Sequence, residues 1–241
     1  MSNVGGSDYY LERKEKYWRQ LARLQKSASR VLQVHLAPDA VAQVGQEFYS
    51  EFAIVLSELP YIGGDDNMLT FTLVSSAAAL AYIRVLERHG LPVVTTGETL
   101  NAVYADVFGS LPGIVKWWLQ RSEFSTSHQK KLRAFAEKSQ RREYSGDWVM
   151  VFVEGDGEKF DYGCDYTECA VLKFFRHMGA DEYMPWVCVM DFTMSTALRT
   201  GLYRTKTLYF GGNCCDFRYK ANALGLPSLP ITELPEYRTR S

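Results

Sequence analysis

Long apolar runs, an excess of either charge and the common cofactor motifs are all missing from this chain of 241 residues. No stretch approaches the roughly 18 apolar residues that a membrane span needs. The first residues, MSNVGGSDYYLERKEKYWRQL, lack the apolar core and cleavage site of a signal peptide. A cytoplasmic protein with no membrane partner is therefore expected. Lys and Arg number 27 against 28 Asp and Glu, so there is no electrostatic footprint for nucleic acid, and a small molecule is the expected ligand. GxGxxG, P-loop and GxSxG patterns are absent, which removes the motif basis for dinucleotide, nucleoside triphosphate and serine-hydrolase chemistry; no cofactor is expected.

Cysteine is absent until residue 164 and then appears five times, at Cys164, Cys169, Cys188, Cys214 and Cys215. An odd set in the last third of the chain suits reduced thiols better than a disulfide framework. There is no CxxC and the gaps match no structural zinc pattern, so no metal is expected. The four histidines, His35, His89, His128 and His177, are scattered, and none is placed for a triad with Cys169.

What is present is a 46% hydrophobic composition, enough to bury a core. From Tyr10 to about Leu36, the residues Tyr10, Tyr17, Leu21, Leu24, Ala28 and Leu32 recur at helical spacing. Pro38 and Asp39 open a second helix through Leu59, with Val41, Val44, Phe48, Phe52, Val55 and Leu59 on one face. A turn at LPYIGGDDN, capped by Asp66 or Asn67, leads into an apolar helix from Met68 to His89 that Gly90 closes. That helix lies either within the chain or on the face of a homodimer. Helices follow at Glu98–Phe108, Gly113–Leu119 and Ser127–Arg142.

Past Gly146 the texture changes. Trp148 to Val153 is β-branched and aromatic, the signature of a buried strand. Phe160–Tyr166 reads as its partner across GDGEK, and a helix opens at Thr167 or Glu168 and runs to His177. Trp186–Leu198 reads as another helix, Tyr203–Phe210 and Cys214–Lys220 as a closing hairpin, and the proline-rich tail from Ala221 as a loose surface segment without chemistry. The expected fold class is α+β, with a helical region over 1–145, an α+β region around a small antiparallel sheet over 146–220, and a tail over 221–241.

Two segments concentrate reactive groups: GDGEKFDYGCDYTECAVLKFF, beginning at Gly155, and GGNCCDFRYK, from Gly211 to Lys220. Asp165, Glu168 and Cys169 stand at the expected start of a helix, where free amides and the dipole favour anions and lower a thiol's pKa. Cys169 is either a nucleophile, with Glu168 or Asp165 as acid or base, or a small packing residue beside a helix cap. Asp191, inside the apolar run VCVMDF, is either a functional carboxylate or half of an ion pair with Arg199 or Arg204.

At these residues the chain resembles the L-2-amino-thiazoline-4-carboxylic acid hydrolase family. The likeness rests on LPYIGGDDNMLTFTL at Leu59–Leu73, FDYGCDYTECAVLKFF at Phe160–Phe175, the aspartate of VCVMDF, and GLYRTKTLYFGGNCCDFRYK ending at Lys220. It implies hydrolytic opening of a small cyclic amidine, with water adding at the carbon between nitrogen and sulfur. The family-like polar residues are Asn67, Asp165, Thr167, Glu168, Cys169, Asp191, Arg204, Thr205, Cys215, Asp216 and Arg218. Of these, Cys169, Glu168, Asp165 and Asp191 are expected to act on the reacting atoms, and Arg204 or Arg218 to hold an anionic group. The rival readings are a cofactor-free cyclase or isomerase of specialised metabolism acting on a larger apolar substrate, and a ligand-binding module without catalysis.

Overall fold

The computed structural model describes residues 6–225 and 231–238. In chain order it contains α1 (Gly6–Glu12), α2 (Lys14–Gln20), α3 (Ala22–Leu32), α4 (Pro38–Ser57), α5 (Thr70–Arg88), α6 (Val93–Gly109), α7 (Gly113–Glu123), α8 (Thr126–Ser139), β1 (Val149–Glu154), β2 (Tyr162–Glu168), α9 (Ala170–His177), α10 (Met184–Leu198), β3 (Cys215–Tyr219) and α11 (Pro235–Arg238). This is an α+β fold with one three-stranded antiparallel sheet, in the order β1-β2-β3. The chain divides into two compact units, one running up to Val107 and including Val171–Val187, the other formed by Phe108–Ala170 and the chain from Cys188 onward.

The first unit is helical, and its apolar spacing translates directly into burial. Tyr10, Tyr17, Leu21, Leu24, Ala28 and Leu32 are all buried, as are Val41, Val44, Phe48, Phe52, Val55 and Leu59. The expected single helix from Tyr10 is three helices in series, interrupted at Arg13 and Leu21, where ψ rises from its helical value to 8° and 3°. Helix α4 packs on α5, with the Phe48 ring stacked on Tyr82 at 3.8 Å between centroids. Glu51, buried on α4, is met by Arg84 at 3.4 Å and Arg88 at 2.9 Å from α5, which offsets the cost of taking its charge out of water.

Helix α5 is long and apolar enough to cross a membrane by composition, but 72% of that window is buried inside the fold. It is a core helix. Asn67 braces the turn before it, accepting from the Leu69 N–H at 2.9 Å and donating to the Ile62 carbonyl at 2.7 Å.

In the second unit, β2 lies between β1 and β3 with Asp165 opposite both Val151 and Asp216. Strand alternation sorts side chains onto two faces. One carries Gly163, Asp165, Asp216 and Arg218; the other carries Tyr162, Cys164, Tyr166, Cys215, Phe217 and Tyr219. Helix α8 packs on β1, and its Ser139 hydroxyl exchanges bonds with the Met150 backbone.

Three expectations are corrected. The residues Thr167 and Glu168 belong to strand β2, and α9 begins only at Ala170, so Asp165 and Glu168 do not sit at a helix N-terminus. The hairpin over Tyr203–Phe210 reduces to a single bridge between Tyr203 and Arg218, while β3 pairs with β2 instead. The reason is the Asp216 carboxylate: it accepts from the Thr205 and Lys206 amides at 2.9 and 2.8 Å, taking donors a neighbouring strand would otherwise use. The tail is also not chemically inert. Leu234 joins a core cluster with Val189, Phe192 and Leu202, and Glu236 is 1% exposed.

Two glycines in helices of the first unit give opposite expectations. A Cβ on Gly97 would fall on the Trp186 indole, whereas one on Gly45 meets nothing within 4 Å. Overpacking costs about 1–3 kcal/mol and alanine gains up to about 1 kcal/mol in a helix. Gly97→Ala is therefore expected to lower unfolding free energy by about 1–2 kcal/mol and Gly45→Ala to raise it by about 0.5–1 kcal/mol, read by urea denaturation.

Candidate functional site

The centre of the second unit is a guanidinium. Arg204, 1% exposed, lies between the rings of Phe192 and Phe217, with both centroids 4.8 Å from its central carbon. Its Nε and one terminal nitrogen donate to the two oxygens of Glu236 at 3.1 and 2.6 Å. The same terminal nitrogen also donates to the Cys188 carbonyl at 3.0 Å, and the other donates to Asp191 Oδ2 at 2.9 Å. Burial pulls the guanidinium toward neutrality, but Glu236 and Asp191 outweigh it and keep the charge in place.

The two carboxylates are not equivalent. Glu236 has 2% of its side chain accessible and both oxygens bonded to Arg204. Asp191 has one oxygen on Arg204, its Oδ1 meets no donor among the described residues, and 38% of its side chain is reached by solvent. Yet protein surrounds it closely enough that burial is the largest influence on its pKa, exceeding the attraction of Arg204 and pushing the carboxyl upward. A group that is both enclosed and wetted lies in a recess.

Cys188, one turn before Asp191 on α10, has the same character: it is half-buried, while its thiol is raised well above the usual value, first by burial. Cys215, buried on the apolar face of β3, is pushed up to about 12 by burial and by nearby Cys169, against the Leu208 N–H that bonds its sulfur at 3.3 Å. Cys169, half-buried, follows β2 directly. Tyr166 and Tyr219 are half-buried on the same sheet face, and after burial their phenols are raised by charges that include both Asp191 and Glu123.

Glu123 introduces a second cluster that sequence reading did not single out. The Tyr162 hydroxyl donates to its Oε1 at 2.5 Å and His128 Nε2 stands 3.6 Å from the same oxygen. Tyr162 stacks on Tyr219 at 5.0 Å and on Phe152 at 6.0 Å. Burial acts to raise the Glu123 carboxyl, but the bonds from His128 and Tyr162 together win and hold it below the ordinary range. The available sequence signal was slight: an acid in the last turn of a helix, where the dipole disfavours it.

The sequence-chosen residues thus fall into groups. Asp191, Arg204 and Cys215, with Cys188, gather over the apolar face, and Cys169 acts electrostatically on Cys188 and Cys215. Asp165, Asp216, Thr205 and Arg218 form a polar lattice belonging to the other face: Arg218 binds Asp165 at 2.7 Å, and the Thr205 hydroxyl donates to Asp216 at 2.5 Å. Glu168 pairs with Arg142, and the exposed Thr167 sits at the irregularity where β2 shifts register against β1. Asn67 holds a turn in the first unit. Arg204, expected to grip an anionic substrate group, already has its donors engaged by protein acceptors. None of the five cysteines forms a disulfide, and no group of three or more His, Cys, Asp or Glu among the described residues has the arrangement of a metal site.

Fold and site together define an α+β protein built around thiols and carboxyls on one face of a small sheet. The chain belongs to the L-2-amino-thiazoline-4-carboxylic acid hydrolase family, whose model matches residues 76–219, more than half of its length. Searches of curated proteins and of solved structures find no match. The matched stretch contains Glu123, Cys169, Asp191 and Arg204 and leaves out Asn67 and Glu236.

The central ion cluster carries two expectations. Arg204→Met leaves two carboxylates without their cation and should cost about 3–5 kcal/mol, whereas Arg218→Met in the more open polar lattice should cost about 1 kcal/mol; chemical denaturation separates them. Because folding raises the Asp191 pKa, the stability this group contributes is complete below its unfolded value, about 3.9, and is lost as pH rises through the folded value. The stability of Asp191→Asn relative to the parent should therefore improve from about pH 4 toward neutrality; a flat difference would contradict the raised carboxyl.

Proposed function

We propose that the protein is a hydrolase that opens a small cyclic amidine of the thiazoline type, with a thiol and a carboxyl sharing the work. The observation that carries the reading is Asp191: a carboxyl with one oxygen fixed by Arg204, the other open, and a pKa raised by burial, in a recess with thiol neighbours. A carboxyl shifted in this direction keeps its proton to higher pH than an ordinary one and can release it to a leaving atom. Membership of a family described by this reaction supports the substrate class.

In this mechanism the Cys169 sulfur, as thiolate, bonds to the carbon between ring nitrogen and ring sulfur, the proton it has given up being held on the amidine nitrogen. The ring carbon–sulfur bond breaks, and the leaving sulfur takes a proton from Asp191. Water then bonds to the same carbon, returning one proton to Asp191 and giving the other to the departing Cys169 sulfur. The net change is one water added and one thiol released. Cys169 is preferred as nucleophile because Cys188 and Cys215 are held firmly as thiols by burial, and only the thiolate attacks.

A second reading, cyclisation or isomerisation of a larger apolar substrate, draws on the aromatic rings of Tyr162, Phe217 and Tyr219 stacked along the same face. Incubation of the protein with L-2-amino-thiazoline-4-carboxylate, followed by mass spectrometry and thiol titration, separates the two. The hydrolase predicts a mass gain of one water with one new thiol per turnover. Cys169→Ala is expected to lose at least ~10³-fold in kcat and Asp191→Asn ~10²–10⁴-fold, with both proteins remaining folded. No product from the folded parent would sink the hydrolase reading, and full activity in Cys169→Ala would sink the nucleophile.

A further inference from the structure

Glu123 closes α7, where the helix dipole disfavours a negative charge, so helix formation gives no reason for a carboxylate at that position. Its surroundings are nevertheless constructed for one. Tyr162, itself 1% exposed, holds Oε1 at 2.5 Å, and His128 stands 3.6 Å from that oxygen. Among the described residues no donor meets Oε2, and 35% of the side chain is reached by solvent. One oxygen is anchored and the other presented. Glu123 influences the phenols of Tyr166 and Tyr219, as Asp191 does, so both carboxyls serve the same aromatic face of the sheet.

We propose that Glu123 is the subsite for a cationic amidine nitrogen of the substrate, with Oε2 accepting its N–H. The assignment deepens the hydrolase reading, on which it rests for the reaction, by restricting the substrate to amidines that carry a positive charge when bound. Cyclic isothioureas are cations at neutral pH, and a carboxylate kept ionised by a phenol and an imidazole is a matched partner. Holding the proton on nitrogen also keeps the neighbouring carbon electrophilic, while the protonated Asp191 remains available for the leaving sulfur. A neutral thiazoline without the exocyclic amine lacks the group that Oε2 recognises.

The test uses 2-amino-2-thiazoline, which carries the cationic amidine without the carboxylate, and neutral 2-methyl-2-thiazoline, titrated calorimetrically into the parent and Glu123→Gln. The cation should bind the variant at least tenfold more weakly, and the neutral ring should bind both within twofold. Equal affinity of the cation for both proteins, or no binding to the parent, overturns the assignment. In the parent itself, 2-amino-2-thiazoline should protect the Glu123 carboxyl from carbodiimide labelling read by peptide mass; absence of protection overturns the assignment even if Glu123→Gln fails to fold. Turnover is scored separately: binding through Glu123 without ring opening supports the subsite and rejects the hydrolase, whereas ring opening with unchanged cation affinity in Glu123→Gln rejects the subsite alone.

Discussion

A single buried cation organises the second unit. Taking a guanidinium out of water costs several kcal/mol unless its donors and charge are met, and Arg204 is met from three parts of the chain: Cys188, Asp191 and the Phe192 ring on α10, Glu236 on α11, and the Phe217 ring on β3. The interaction therefore binds residues 32 positions apart and draws the last described helix into the core beside Leu234. It also leaves one carboxylate in excess. Glu236 has both oxygens engaged by Arg204, whereas Asp191 has one, and burial, the largest influence on Asp191, raises its pKa. The cluster that stabilises the core thus also fixes in the recess a carboxyl whose pKa burial raises against the pull of Arg204.

The sheet then decides which reactive residues can meet. Asp165 and Asp216 face each other across β2 and β3, and their partners Arg218, Thr205 and Lys206 satisfy them locally. Those carboxylates are ion-pair and hydrogen-bond anchors, whatever their density in the sequence suggests. Cys215 and Phe217, one residue away on either side of Asp216, point to the opposite face and join Asp191 and Arg204. A dense motif on a strand is split in two by the pleat, and only half of it can line one recess.

Much of the helical architecture was legible because amphipathic spacing is a local property: the six core positions read over Tyr10–Leu32 and the six over Val41–Leu59 are all buried. The strand β1 was legible for the same reason, in its run of β-branched and aromatic residues. The C-terminal hairpin was not, because a side chain, Asp216, replaces the backbone partner that a strand pattern presumes. The site was legible only where chemistry and burial conflict within one segment, as at Asp191 in VCVMDF. Glu123 with Tyr162 and Arg204 with Glu236 are separated by 39 and 32 residues, and nothing in either local segment announces the partner.

The pairing of Asp191 with Glu123 follows from those distant contacts. Both are enclosed carboxyls with one anchored oxygen, and burial is the largest influence on each, acting upward. They diverge because of what anchors them. Arg204 divides its charge between two acids, so its hold on Asp191 is too weak to reverse the effect of burial. Glu123 instead meets a buried phenol and an imidazole, with no other carboxylate competing for them among the described residues, and together they reverse it. Two carboxyls of the same chemistry are thereby driven in opposite directions within one unit, a separation that lets one supply a proton while the other keeps its charge.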